Sequence, residues 1–273
     1  MTLTVGHISY LNCAPLFHFL PETGFSGRVV QGVPAELNRQ LEGGFLDLCP
    51  SSSFEYARNW RDYLLLPGQS ISSCGPVRSV LLLSPCPIED LDGQEIALTG
   101  ESLTSVNLLK IILKEFEGHH RIACRVPQEP VEDLLGAGQP ALLIGDRALR
   151  AAGQKSPATH IYDLGELWLR HTGLPFVFAL WIVRRGAALK KREELRTFLG
   201  QLAESRSRAF ASLEALAEAT PEKAWMGGEG LVDYWETMSY DLGPAHLEGL
   251  RLFFNLSVRM GLLDEEPEIN FFQ

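Results

Sequence analysis

Apolar and polar positions along the first sixty residues change period in a repeating order. Residues 3–8 form a short apolar run of strand length, Pro15 begins a helical stretch reaching Leu20, and Arg28–Gly32 reads as a second strand. Pro34–Glu42 opens on proline and places Leu37 and Leu41 on one face, which predicts a helix stopped by Gly43 and Gly44. Residues 45–49 are then expected as a short buried strand, 50–53 as a turn, and 54–58 as the next helix. This strand–helix–strand rhythm predicts a mainly parallel sheet with helices on its faces.

A second rhythm begins near residue 84. Residues 80–83 read as an apolar strand, and Ser84-Pro-Cys-Pro87 interrupts it as a crossing between domains would. Glu95–Leu98 is expected as a strand, 99–105 as a hydroxyl-rich turn and 106–116 as a helix. Residues 141–144 form a further buried strand closed by Gly145-Asp146, and 176–183 a long strand returning through the body. From Lys190 onward the period is helical, with one stripe formed by Leu195, Phe198, Leu199, Leu202, Ala209, Phe210, Leu213 and Leu216 and another by Leu247, Leu250, Phe254 and Val258. The expected organisation is therefore α/β, with lobe 1 built from 1–83 plus 183–273, lobe 2 inserted as 84–182, and a ligand cleft between them.

Composition narrows the function classes. A net charge of −10 argues against nucleic acid, which needs clustered Lys and Arg. No apolar run approaches the roughly 18 residues of a spanning helix, so no membrane partner is expected. The opening Met-Thr-Leu-Thr-Val-Gly-His has neither a basic nor a long apolar segment, and a cytoplasmic location is expected. Five scattered cysteines form no CxxC pair and no His/Cys ligand pattern, so neither a disulfide framework nor a metal site is expected. No oligomeric state is legible in the pattern.

The candidate chemistry lies in four polar turns that follow predicted strands: Ser9 to Asn12, Ser51 to Ser53, Ser72 to Ser79, and Thr99 to Ser105. Hydroxyls, an amide and free N–H groups at helix starts suit carboxylates and hydroxyls on a small polar molecule. Each turn taken singly also reads as a helix cap. Asp146 ends a buried strand and reads equally as a cleft carboxylate or as a cap. His7, inside the first strand, reads as a partly buried histidine with a satisfied partner, and His119 and His120 as exposed residues at a helix end. No nucleophile elbow, phosphate loop, dinucleotide fingerprint or HExxH pattern is present.

Taken in order, Ile8-Ser-Tyr-Leu-Asn-Cys-Ala-Pro-Leu16, Leu46-Asp-Leu-Cys-Pro-Ser-Ser-Ser53, Gly75-Pro-Val-Arg-Ser-Val80, Ala97-Leu-Thr-Gly-Glu-Ser-Leu-Thr-Ser105, Leu143-Ile-Gly-Asp146 and Thr172-Gly-Leu-Pro-Phe-Val-Phe-Ala179 resemble the chorismate dehydratases of the futalosine route to menaquinone. The resemblance covers about residues 5–185. It implies a fold like the type II periplasmic binding proteins, two α/β lobes closing on a ligand, and loss of water from chorismate without a cofactor. It implies Asn12 and Ser79 as catalytic groups, and Ser9, Ser51, Ser52, Gly75, Val77, Thr99, Ser102, Thr104, Ser105 and Asp146 as substrate contacts. Arg78 and Glu101 are secondary candidates, Arg78 because it occupies a variable slot of the motif and Glu101 because it is the one carboxylate in these turns that could act as a base. Two alternatives stay open: a cytoplasmic solute-binding protein for a small organic anion, and the related synthase that makes 1,4-dihydroxy-6-naphthoate.

Overall fold

The computed structural model describes residues 2–154 and 159–273. Its strands are β1 Thr4–Ile8, β2 Arg28–Gly32, β3 Leu48–Ser52, β4 Tyr63–Ser73, β5 Val80–Ser84, β6 Glu95–Leu98, β7 Ala123–Arg125, β8 Ala141–Ile144, β9 His160–Asp163 and β10 Phe176–Arg184. They divide into two sheets of order β2-β1-β3-β10-β4 and β7-β6-β8-β5-β9. β1 pairs in parallel with β2 and β3, and β6 with β7 and β8. The strand that brings the chain into the second sheet, β5, and the one that returns it to the first, β10, each insert antiparallel between their neighbours. The sheets are therefore mixed.

Sheet membership moves both expected crossings. β5 pairs through Ser84 with His160 of β9, so Ser84-Pro-Cys-Pro87 is a turn within the second half, and the chain crosses earlier, between Ser73 and Val80. It returns between Thr172 and Phe176, which puts the whole of β10 in the first sheet, not only its last residues. The third strand also differs from its expectation. Phe45 is 74% exposed, and the strand runs Leu48–Ser52, taking in the serines expected in a turn. Proline argues against a central strand because it lacks an N–H. Here β1 reaches β3 only at Val5 and Leu48, so Pro50 faces Trp181 of β10 without breaking a ladder bond to β1.

Burial explains why these runs became strands. In β5, Leu82 faces the main core, whereas Leu81 and Leu83 face a smaller cluster with Ala97, Val131, Ala141 and Leu143. Two-residue alternation thus gives one strand two buried faces. The C-terminal stripe breaks at Ala211 and Ser212 into helices Arg192–Phe210 and Leu213–Ala219. Its buried face packs on the helix Ala14–Phe17, where Ser205 Oγ donates to Leu16 O at 2.8 Å, and reaches the first sheet where Phe198 meets Trp181 of β10. His119, expected at the surface, is only 4% exposed, because its N–H turns back to Leu113 O and draws the residue under the helix end. Among the described residues, no helix is long and apolar enough to cross a membrane.

Candidate active site

The ends of β1, β3, β4 and β6 bring the four polar turns, and the end of β8 brings Gly145, around one small cavity of about 60 Å³. Its walls include Tyr10, Asn12, Ser52, Val77, Ser79, Ser102, Ser105 and Gly145, backed by Ile8, Ile71, Ile144, Phe178 and Met238. Among the described residues, no charged side chain lines it. Four helices start on this wall. Pro34 opens Pro34–Glu42, Ser52 caps Ser53–Asn59 by accepting from Glu55 N–H at 3.3 Å, Ser102 caps Leu103–Ile111 by accepting from Ser105 N–H at 3.3 Å, and Gly145 opens Gly145–Gly153. Helix starts carry partial positive charge and unpaired N–H groups, so several of them around one space favour an anion without any lysine or arginine.

Asn12 sits on the turn after β1, and the helix Gly228–Thr237 and the segment after it fix that turn. Trp235 Nε1 donates to Leu11 O at 2.8 Å, and Tyr240 Oη donates to Asn12 O at 2.9 Å. With the backbone held, the side chain reaches the cavity, where the buried Oδ1 has no partner. A buried amide oxygen without a partner costs about 1–3 kcal/mol, so its retention here points to a ligand that completes it. Ser79 lies opposite, 1% exposed; its Oγ accepts from Tyr234 Oη at 2.8 Å and donates to Val77 O at 3.3 Å. Burial raises Tyr234 well above the ordinary phenol range, so the phenol remains a proton donor to Ser79.

The turn bearing Ser79 is held by a carboxylate that sequence reading missed. Asp163, at the end of β9, accepts from Val77 N–H and Arg78 N–H at 3.0 and 2.6 Å, and also from Gly165 and Glu166 N–H at the start of Leu164–Thr172. These bonds hold Arg78 at φ 61°, a left-handed backbone that costs a non-glycine residue of order 1 kcal/mol or more. We expect Asp163→Ala to lower stability by about 3 kcal/mol in urea unfolding, because it strands four N–H groups, and to reduce turnover through Ser79. Unchanged stability would contradict this role.

Several expected contacts lie elsewhere. Arg78 turns away and lines a separate surface groove with Arg150 and Trp225. Ser51 is fully buried and donates to Asn38 Oδ1. Thr104 is also fully buried, and its Oγ1 accepts from Phe54 N–H at 2.9 Å, tying the two helix starts together. Gly75 packs near Leu169, and its carbonyl accepts from Ser73 Oγ at 2.8 Å. Thr99 accepts from Glu101 N–H behind the wall. These four hold the turns in place and do not line the cavity. Ser9 and Asp146 face a larger outer groove of about 760 Å³, which adjoins the cavity and shares Tyr10 with it. His7 also lines this groove, stacked on Phe17 at 3.9 Å, and burial lowers its pKa to about 4, so it is neutral at pH 7.

Asp146 does not cap the following helix; its Oδ1 accepts from Leu11 N–H at 3.1 Å, across to the opposite sheet. Burial outweighs that bond and pushes the carboxyl up to about 6. A carboxyl raised in the fold binds a proton that the unfolded chain has released, so its contribution to stability is full below about pH 4 and lost as pH rises through about 6. Asp146→Asn keeps the acceptor and removes the titration. Its melting temperature relative to wild type is expected to rise by roughly 2–4 °C between pH 4.5 and 7.5; an unchanged difference would contradict the raised carboxyl.

Glu101 is engaged outside the cavity. Tyr10 Oη donates to its Oε2 at 2.7 Å, and Arg147 donates to its Oε1 at 3.4 Å. Both oxygens thus have partners, and among the described residues no carboxylate lines the inner wall. Tyr10 was inside a motif recognised in the sequence, whereas Tyr234, Trp235 and Tyr240 lie where only the helical period was legible.

A sequence model of the family described as menaquinone biosynthesis matches residues 3–259 of this chain. The chain belongs to the menaquinone biosynthesis family. Within reach of that family, a chorismate dehydratase of Thermus thermophilus is 36% identical over 263 residues, covering 91% of this chain and 93% of the relative. Among solved structures, a protein of Archaeoglobus fulgidus superposes with a TM-score of 0.77 at 19% identity, covering 96% of this chain and 98% of its own. The periplasmic aliphatic sulphonate binding protein SsuA of Escherichia coli gives a TM-score of 0.70 at 15% identity, covering 98% of this chain and 90% of its own. The fold of this menaquinone biosynthesis family member is therefore that of the periplasmic binding proteins.

Proposed function

We propose that this protein is a hydro-lyase that eliminates water from chorismate to give 3-[(1-carboxyvinyl)oxy]benzoate, in the futalosine route to menaquinone. The observation that carries this reading is a cavity of helix starts, hydroxyls and one unpartnered amide, in a chain 36% identical to a chorismate dehydratase. We propose further that the two sheets form two lobes and that the substrate binds between them. Chorismate carries two carboxylates, which suit the helix starts, and a ring hydroxyl, which suits Asn12 and Ser79.

The reaction breaks the C3–H and C4–O bonds of the ring, leaves the electron pair of the former as a ring double bond, and releases the proton and hydroxide as water. Aromatisation makes it strongly downhill, so the protein must chiefly choose the path. Chorismate rearranges to prephenate when its enolpyruvyl arm folds over the ring. Holding the two carboxylates apart suppresses that conformer, and orientation of this kind contributes several kcal/mol. In our reading the substrate's own enolpyruvyl carboxylate takes the C3 proton, while Asn12 donates through its amide to the departing hydroxide and Ser79 positions the ring hydroxyl. That no described residue brings a charged side chain to the cavity wall, with both Glu101 oxygens engaged, supports substrate-assisted proton removal.

Incubation of the purified protein with chorismate, followed by mass spectrometry, tests the function. A product lighter by one water is expected. Chorismate retained but unchanged would indicate a solute-binding protein, and absence of binding would overturn both readings. The mechanism makes a separate demand on Glu101→Gln, which is expected to keep turnover within about tenfold of wild type. If it abolished turnover with chorismate binding intact, Glu101 would be the base.

A further inference from the structure

Among the described residues, Tyr10 is the one that lines both the inner cavity and the outer groove, and its side chain crosses from the first sheet to the second. The residue follows β1 of the first sheet, yet its hydroxyl donates to Glu101, which follows β6 of the second. Arg147 holds Glu101 in place from the helix Gly145–Gly153, and Glu132 in turn holds Arg147 through paired bonds of 2.7 and 2.5 Å. The face of the Tyr10 ring lies on Gly145. A Cβ added at Gly145 would sit 3.0–3.1 Å from three ring carbons, and this glycine has φ 59°. The structure thus supplies a flat seat for the ring, an acceptor for its hydroxyl, and a second and third residue that hold the acceptor.

The inner cavity is far below the several hundred cubic ångströms of ordinary small-molecule pockets, whereas the outer groove has that size. An organic diacid reaches the inner wall only when something between the two spaces moves. We infer that Tyr10 is the gate between them: substrate and product pass through the outer groove, and the Tyr10–Glu101 hydrogen bond latches the gate shut across the cleft. This rests on the proposed reading of the function and extends it, since it assigns Tyr10 to access and not to bond breaking. Tyr10 is then a positioning residue whose loss changes rates of passage before it changes chemistry.

The test compares wild type with Tyr10→Phe, Glu101→Gln and the double variant, each as the full chain with its melting temperature recorded. Stopped-flow displacement of the bound dehydration product gives the release rate, and rapid quench gives the rate of the chemical step. Tyr10→Phe keeps the ring on Gly145 and removes only the latch, so release is expected to quicken roughly tenfold or more, the size of a hydrogen bond to a charged acceptor. Glu101→Gln should quicken it similarly, and the double variant should be no faster than the faster single one, because both remove the same bond. The chemical step should change less than about threefold. Unchanged release in both single variants, additive effects in the double variant, or a collapse of the chemical step with release unaltered would each overturn the gate. Failure of the wild type to convert chorismate would contradict the function instead, and is read separately from these rates.

Discussion

Asn12→Ala is expected to lower turnover of chorismate by roughly 10²–10³-fold, the usual effect of removing one hydrogen-bond donor aimed at developing negative charge. The fold should be indifferent to the change. The turn that carries Asn12 is fixed by its backbone, through Tyr240 to Asn12 O and Trp235 to Leu11 O, and neither bond uses the side chain. The side-chain oxygen has no protein partner to lose. The melting temperature should therefore stay within a few degrees of wild type while the rate collapses. Asn12→Asp should do worse for binding, since it sets a carboxylate against a dianion in a cavity that no cationic side chain lines among the described residues. Steady-state kinetics beside a thermal melt checks both, and near-normal turnover in Asn12→Ala would remove this residue from the site.

The second large effect separates stability from chemistry at Ser79. Ser79→Ala removes the acceptor of the Tyr234 hydroxyl, which is wholly buried, and a stranded buried donor costs about 1–3 kcal/mol. Turnover should fall by roughly 10²-fold, because the same substitution takes a hydroxyl from the cavity wall. Adding Tyr234→Phe removes the stranded donor. Removing both partners of a buried bond is often nearly neutral, so the double variant should recover most of the lost stability in urea unfolding. It should recover none of the activity. Recovery of both together would mean that Ser79 serves only to satisfy Tyr234; recovery of neither would mean that the pair is not the unit described here.

The parts of this protein legible in the sequence are those that local patterning controls. Pro34–Glu42, Arg28–Gly32 and Glu95–Leu98 fall where the period and the turn residues place them. The polar turns were legible for the same reason, since each follows an apolar strand, and six of the expected site residues, Asn12, Ser52, Val77, Ser79, Ser102 and Ser105, meet on one wall. What distinguishes them from Ser51, Thr104, Thr99 and Gly75 is long-range. Ser51 and Ser52 are adjacent, and alternation in β3 sends one into the Asn38 contact and leaves the other to cap a helix on the cavity. Arg78 is attractive as a cation beside Ser79 until the left-handed turn enforced by Asp163, more than eighty residues away in the chain, points it elsewhere.

The chain changes sheet away from the expected crossings for a related reason. A strand and its proline-rich successor read alike whether the next partner is a neighbour or a second sheet, and only pairing of Ser84 with His160 decides it. Likewise the C-terminal region shows two apolar stripes in sequence, yet its value to the site lies in Tyr234, Trp235 and Tyr240, whose hydroxyl and ring N–H groups reach Ser79, Leu11 and Asn12. A helical period marks which face is buried. It does not say which buried polar atom holds a loop 150 or more residues earlier in the chain.

The proposed dehydration depends on the substrate's own enolpyruvyl carboxylate acting as the base. The direct measurement uses a chorismate analogue in which the enolpyruvyl carboxylate is replaced by the neutral carboxamide, with binding followed by calorimetry and dehydration by mass. The expected result is an analogue that still binds in the cleft through its ring carboxylate but loses no water, while chorismate itself is dehydrated by the same preparation. Dehydration of the carboxamide at a rate near that of chorismate would contradict the account, because the proton would then have to leave to a group on the protein.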